Sequence, residues 1–315
     1  MKFSVGLQPL RQSLTDCIIK NKDHIYEVYF SWGDFPNGRN NQWEKEGYTP
    51  LELADIQRSA ISEISSAGIS LNLLLNGNCY GKDALSRAFY TKVGNTVDYI
   101  ISHFGLASVT TTSPIIARFI KSNFPEIEVR ASVNMEIGTV EGMDYLKHEF
   151  DSFYLKRELN RSIESIKPLH KWCNDNGKSL FMLGNSGCLN FCSARTFHDN
   201  LVSHETEISK MDNAFTFCGM CSEYLKSPEN ISKLPDITNF VRPEDIKNYE
   251  PYIKAVKLAT RVSKCPEYIL ESYVNQKYSG NILSILEPAH DVYPYVIENG
   301  TPLKLKKLEE NNAYK

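Results

Sequence analysis

Short apolar runs alternate with amphipathic stretches along most of this chain, and that rhythm constrains the fold more than any other feature. Repeated βα units of this kind build parallel sheets, because each helix carries the chain back to start the next strand in the same direction. The strand runs are Phe3–Leu7, His24–Ser31, Ser70–Leu75, Ala107–Thr110, Glu128–Val133, Ser152–Leu155, Ser179–Gly184 and Lys254–Ala259. Helical patterns fall at Pro50–Ser66, Ala84–Phe104, Pro114–Phe124 and Arg161–Asn176, the last closed by Gly177, a usual C-terminal stop. Eight strands with helices between them predict an α/β fold, a (β/α)8 TIM-like barrel with right-handed crossovers. An open doubly wound sheet is the competing architecture. The turn Gly77-Asn78-Cys79-Tyr80-Gly81 lacks the GxGxxG spacing that sheet uses to cradle a dinucleotide, and the barrel is preferred.

Two stretches interrupt the rhythm. Trp32–Thr49 is a polar loop after the second strand, and Asn185–Pro235 separates the seventh strand from the eighth. Loops this long inside a compact domain usually carry function, and in a barrel the loops that follow strands form the active-site face. The expected organisation is therefore a barrel over residues 1–262, including a cysteine-bearing loop at 185–235, followed by a small C-terminal appendage over 263–315. Within the appendage, Lys304–Asn312 reads as a frayed, solvated tail.

Composition removes several classes of function. With 42% hydrophobic and 23% charged residues in 315, the chain is neither disordered nor fibrous. Its 35 basic and 38 acidic residues leave a net charge of −3, so strong non-specific nucleic-acid binding is not expected. No apolar run approaches the roughly 20 residues of a membrane helix, and Met1–Pro9 is too short and polar for a signal peptide. A cytoplasmic protein with no membrane association is the expectation. In that compartment eight cysteines point away from disulfides and toward metal binding or catalysis.

Four of the eight cluster. Cys188 and Cys192 form a C-x3-C pair, and after a gap of 25 residues Cys218 and Cys221 form a C-x2-C pair. Two close pairs folded together can present four thiolates tetrahedrally, the soft donor set that both zinc and iron–sulfur clusters select. Spacing alone does not separate the two. A radical-SAM motif is excluded in its usual form, since C-x3-C-x2-C would need a cysteine where Arg195 stands. Phe181, Phe191, Phe197, Phe215 and Phe217 are expected to shield the pairs, and Cys17, Cys79, Cys173 and Cys265 read as isolated buried thiols. His198, Asp199 and His204 lie between the pairs. His198 is the stronger candidate for an acid–base group or ligand, because Cys192-Ser193-Ala194-Arg195-Thr196-Phe197-His198 keeps it near the thiols.

Three segments around these residues resemble the collagenase-like peptidase (U32) family. Phe153-Tyr154-Leu155-Lys156-Arg157-Glu158-Leu159 is similar to that family's strand ending in Leu-Ala-Arg-Glu-Leu. Leu180–Cys188 resembles the strand leading into its His-Gly-Ala-Leu-Cys turn. Asn239–Ile246, followed by Ile253–Arg261, is similar to its Ser-Pro-Lys-Asp-Leu segment and terminal Lys-Ile-Glu-Gly-Arg strand. The order holds over roughly residues 1–262. Three departures mark a divergent member: Asn185 stands near the usual histidine, Cys192 follows Cys188 by only four residues, and the final strand reads Leu-Ala-Thr-Arg without its acidic residue.

The resemblance implies a barrel-like α/β domain with Cys188, Cys192, Cys218 and Cys221 as ligands of a 4Fe–4S cluster, matched by type and order. Some branches of the family are peptidases. Others take part in oxygen-independent hydroxylation during quinone biosynthesis, or in RNA-base modification with prephenate-linked chemistry, and members often work in pairs, which implies a second family subunit as a partner. The leading expectation is an iron–sulfur oxidoreductase or hydroxylase acting on a quinone-precursor, RNA-base or other organic substrate. The alternative is a zinc-stapled barrel acting as a peptidase, another hydrolase or a binding module, in which four thiolates leave the metal no open position. Candidate catalytic residues are Arg157, Glu158, His198 and Glu136, with Gln8, Glu27, Asn76, Asn134 and Arg261 as further polar groups at strand ends. Arg157 and Arg261 suit a carboxylate-bearing small-molecule substrate. A structural ion pair such as Arg157–Glu158 is the competing role. Tyr278, Tyr293 and Tyr295 mark either an interface or the packing of the appendage.

Overall fold

The computed structural model describes residues 1–38, 47–204, 219–290 and 292–308. Eight parallel strands close into a barrel in sequence order: β1 (Phe3–Gly6), β2 (Ile25–Phe30), β3 (Ser70–Leu75), β4 (Ser108–Thr111), β5 (Glu128–Ala131), β6 (Ser152–Tyr154), β7 (Ser179–Leu183) and β8 (Val256–Leu258). β8 pairs with β1 through Phe3↔Val256 and Val5↔Leu258, which completes the ring. Each strand falls on a run expected from the sequence.

The helices are α1 (Gln12–Lys20), α2 (Pro50–Ser66), α3 (Arg87–Phe104), α4 (Pro114–Asn123), α5 (Val140–Tyr145), α6 (Ile163–Asp175), α7 (Arg195–Ser203) and α8 (Pro266–Val274), with shorter turns between Met220 and Ile237. Local chemistry sets their starts. Thr49 and Glu52 form a reciprocal capping box ahead of α2, with Pro50 at the first helical position. α3 begins at Arg87 and not at Ala84, because the Ser86 side chain accepts the Phe89 N–H and so becomes its N-cap.

Alternation along the strands explains the two faces of the barrel. Val5, Val28, Leu71, Leu73, Val109, Val129, Phe153, Leu180, Met182, Val256 and Leu258 belong to the apolar core shared with the helices. Their neighbours point inward, and the inner layer is polar: Ser4, Glu27, Asn72, Ser108, Arg130 and Ser152 are all buried. Barrel interiors are usually filled by branched aliphatic residues, so this one must satisfy its polar atoms with each other. Arg130 donates to Glu27 at 2.5 Å, to Glu128 at 2.9 Å and to Ser152 at 3.0 Å, while Glu27 accepts from Ser4 and Ser108. The pairing of β1 with β2 skips Tyr26, and this irregularity lets Tyr26 pack against Phe181 at 5.5 Å between ring centroids. Glu27 is thus a structural residue of the barrel interior, not a polar group at the mouth.

Beyond residue 262 the chain stays in contact with the barrel. Tyr273 on α8 meets Phe3 of β1 edge-on at 6.0 Å and donates to the Val241 carbonyl at 2.7 Å. Lys304–Lys307, expected to fray, instead forms a strand antiparallel to Tyr295–Glu298. Its Lys and Leu side chains are exposed, so the sequence shows no buried face, and the backbone ladder makes the strand. Residues 309–312 of the expected tail lie outside the described residues. Tyr278, considered as an exposed interface residue, is buried at 5% exposure with its hydroxyl on the Asn281 carbonyl, whereas Tyr293 is 58% exposed. Among the described residues no helix is long and apolar enough to cross a membrane.

Candidate functional site

The C-terminal ends of the strands open into two adjoining cavities. The first is a chamber of about 50 Å³ lined by Tyr29, Asn76, Asn134, Arg157, Lys257 and Arg261, among others. The second, of about 310 Å³, is lined by Cys188, Cys192, Cys221, His198, Asp199 and Arg195, with Leu189, Val202 and Pro288 as its apolar wall. Val262 and Glu287 line both.

Cys188 follows β7 directly, and the loop that carries it is clasped by the C-terminal segment. Gly187 N–H donates to the Glu287 carbonyl at 2.8 Å, Glu287 N–H donates to the Asn185 carbonyl at 2.9 Å, and a His290 ring nitrogen lies 2.8 Å from the Gly187 carbonyl oxygen. Asn185 adds a bond to the clasp and one to the end of β8, donating to the Ile285 carbonyl at 3.0 Å and accepting the Ala259 N–H at 2.7 Å. A Cβ at Gly187 would lie 2.5 Å from the Pro288 carbonyl oxygen, so only glycine allows the two backbones to approach this closely. Asn185 therefore has a structural role here: both halves of its amide hold backbone.

Arg195 fastens the same loop to the barrel. Its Nη1 donates to Glu136 at 3.0 Å and to Glu158, and its Nη2 donates to the Leu189 carbonyl at 2.9 Å. Burial, and then the nearby Arg157, push the Arg195 guanidinium down from its ordinary value, and Glu136 opposes them. Glu136 holds this position in the left-handed region at φ +52°, a conformation uncommon for a residue with a side chain and persisting only where the surroundings enforce it. The sequence offered Glu136 and Glu158 as catalytic groups; the structure has both engaged by Arg195. Arg195→Ala is expected to lower stability by about 2 kcal/mol, since its charge-assisted bonds to Glu136, Glu158 and the Leu189 carbonyl are lost. Urea denaturation followed by circular dichroism checks this, and the thiol reactivity of Cys188 and Cys192 should rise as the loop loosens.

Arg157 does not pair with Glu158. Its Nη2 donates to Asn134 Oδ1 at 2.5 Å and its Nη1 lies 3.8 Å from Asp199 on α7. Arg261, just past β8, directs Nη2 to Ser31 and Asn37, each at 3.0 Å, which ties the loop after β2 to the mouth as expected. Gln8 is spent on the Thr260 and Ser263 carbonyls. Lys257 was missed by sequence reasoning. The signal was present, however, as one charged residue inside Val256-Lys257-Leu258, which strand alternation turns into the barrel. Tyr29 lies beneath it, with Nζ of Lys257 at 4.0 Å from the ring centroid. Burial pushes the Tyr29 phenol up to about 12 against the opposing pull of Arg261, so it stays neutral and donates to the Leu258 carbonyl at 2.8 Å.

Three of the four clustered cysteines share the larger cavity, and Cys218, with Phe215 and Phe217, lies outside the described residues. Burial, followed by Cys188 and Cys192, pushes the Cys221 thiol up. Among the described residues no group of three or more His, Cys, Asp or Glu is placed to hold a metal ion. Soft thiol donors converging on one half-buried cavity are the chemistry a thiolate-bound metal group needs, and the three cysteines fit it by type. The expected aromatic shield differs: Phe191 and Phe197 are 52% and 61% exposed, and Phe181 sits in the barrel interior under Arg130. Cys17 and Cys173 are buried as expected, but Cys79 is half-buried and Cys265 exposed.

No family model matches the chain. The uncharacterized protease MJ1657 of Methanocaldococcus jannaschii is 23% identical over 289 residues, covering 89% of this chain and 81% of that protein. Among solved structures the U32 peptidase Mk0906 superposes with a TM-score of 0.58 at 16% identity, over 82% of this chain and 91% of that one. Both findings agree with the family resemblance read from the sequence. The structural likeness speaks for the shared barrel, and the sequence match extends over most of both chains.

Proposed function

We propose that this U32-type barrel is an iron–sulfur enzyme that carries out a redox modification of a small organic substrate at its C-terminal mouth. The observation that carries the reading is the convergence of Cys188, Cys192 and Cys221 on one cavity that adjoins the chamber at the strand ends. With Cys218, these cysteines would hold a 4Fe–4S cluster. When bound, such a cluster supplies electron transfer or an iron site able to polarise a substrate. The resemblance of the chain points to oxygen-independent hydroxylation as the form of the chemistry, and to a second family subunit as a partner.

The protein's own residues supply position and protons. Arg195, gripping Glu136, Glu158 and the Leu189 carbonyl, fixes the thiols over the mouth. His198 lines the thiol cavity and is assigned the acid–base role there. The neutral Tyr29 and the amides of Asn76 and Asn134 line the chamber and orient what enters it.

Anaerobic purification with iron, sulfide and zinc analysis tests the reading. We expect a brown protein with about four irons and four acid-labile sulfides per chain. A colourless protein holding one zinc would overturn it. The names of the two relatives, a protease and a peptidase, favour a peptidase as the second reading, and cleavage of peptides by the colourless form would support it.

A further inference from the structure

We infer that a third cavity, apart from the barrel mouth, binds a small zwitterion with an apolar side chain, either a free α-amino acid or a short unblocked peptide. The inference does not depend on which metal the cysteines hold.

This cavity, of about 360 Å³, lies between Arg161 at the start of α6, Pro235, the stretch 240–249 and Leu303 of the appendage. It shares no lining residue with the two cavities at the strand ends. Its volume falls within the roughly 300–1,000 Å³ of ordinary small-molecule sites.

Charges of both signs line it without meeting. Arg161 and Arg242 supply two cations, and Asp236 and Asp245 two carboxylates. Among the described residues neither carboxylate accepts a hydrogen bond or joins an ion pair. Arg161 donates to the Pro235 carbonyl through Nη1, and Arg242 has its Nε 3.5 Å from Oε2 of Glu244. Glu244 is itself fixed, accepting the Tyr278 N–H at 2.9 Å and the Asn299 amide at 2.8 Å. Each guanidinium carries five donors, so these contacts orient both arginines and leave most donors unused. A ligand with one ammonium and one carboxylate pairs with both sets at once. A simple anion or cation satisfies one set and is repelled by the other.

Tyr249 is an independent sign of a ligand. It lines the same cavity and is only 6% exposed, yet its hydroxyl has no hydrogen-bond partner among the described residues. Buried tyrosine hydroxyls usually find one, and a carboxylate or carbonyl arriving with the ligand supplies the acceptor. Burial, and then Asp245, pushes the Tyr249 phenol up against the opposing pull of Arg161, so it stays a neutral donor. Phe240, Val241 and Leu303 complete the lining with apolar surface. That surface favours an aliphatic or aromatic side chain and discriminates against glycine.

Calorimetric titration of the full chain tests this with L-leucine, leucyl-leucine, glycine, isocaproate (leucine without its ammonium) and isoamylamine (leucine without its carboxylate). Leucine or leucyl-leucine should bind saturably, and the other three about tenfold more weakly or less well still. Tighter binding of leucine assigns a free amino acid, and tighter binding of leucyl-leucine a short peptide. Asp245→Asn should weaken the preferred zwitterion about fivefold or more and leave isocaproate unchanged, since isocaproate has no ammonium to lose a partner. Arg161→Gln should weaken the zwitterion likewise and leave isoamylamine unchanged. Should Arg161→Gln fail to fold, Asp245→Asn, which breaks no side-chain hydrogen bond, decides alone. No saturable binding of either zwitterion, single-charge analogues that bind as tightly, or unchanged affinity in folded Asp245→Asn would overturn the inference. Iron and zinc are measured on the same preparation, so loss of this site leaves the cluster reading standing, and loss of the cluster reading leaves this site assigned.

Discussion

Replacing Arg130 with methionine is expected to lower the free energy of unfolding by about 3–5 kcal/mol, a large part of the roughly 5–15 kcal/mol that folded domains possess. Arg130 is fully buried and lies with its guanidinium 3.8 Å from the centroid of the Phe181 ring. Burial alone would lower its proton affinity, but Glu27, Tyr154 and Glu128 outweigh burial and hold it above its ordinary value. It is charged at every working pH. Removing it strands Glu27 at 1% exposure, with only the Ser4 and Ser108 hydroxyls for company. The carboxylate must then stay ionised without a cation in an interior closed to water or take up a proton, and either raises the energy of the folded state. Arg130→Lys should fall in between, because an ammonium cannot span Glu27, Glu128 and Ser152 as the planar fork does. The double variant Arg130→Met with Glu27→Gln should recover part of the loss, which a double-mutant cycle in urea would measure as coupling. An Arg130→Met protein as stable as the wild type would show that the inner ion pair does not hold the barrel.

The second large effect concerns the thiols. On the proposed iron–sulfur function, Cys221→Ser is expected to remove nearly all iron and sulfide, with the visible absorption, while the far-ultraviolet circular dichroism of the barrel persists. The separation follows from position: the thiol cavity lies at the strand ends, where Cys221 is only partly buried and packs against the outside of the apolar core. Cys173→Ser is the control. Cys173 is buried on α6 in the outer core, and burial pushes its thiol up to about 12, which leaves it protonated and a poor ligand. That variant should keep its iron and lose stability, reversing the pattern of Cys221→Ser. Full iron content in Cys221→Ser would remove Cys221 from the ligand set.

Recognition of the barrel from the chain had a simple basis. In a parallel barrel every strand turns one row of side chains to the helices, so Val, Leu and Ile must recur at alternate positions. That recurrence was visible at all eight strands, from Phe3 and Val5 through Val256 and Leu258. The cysteine pairs were legible for a similar reason, since soft donors at short spacing are rare outside metal sites. Their neighbours were not. Phe191 and Phe197 have the composition of a shield but remain more than half exposed, Phe191 edge-on to Tyr224 at 5.7 Å, because sequence does not show which side of a turn or helix meets solvent.

What the sequence determined by itself is what depends on neighbours along the chain: the strand and helix rhythm and the two close cysteine pairs. What only the tertiary structure decided is which distant charges meet. Glu158 sits beside Arg157 in the chain yet binds Arg195, and Arg157 turns to Asn134 and Asp199 instead. Lys257 and Arg261 reach the same chamber as Arg157 from a strand on the other side of the seventh. Ion pairs depend on through-space distance, and only the closing of the ring brings residues a hundred positions apart to within a few ångströms of one another.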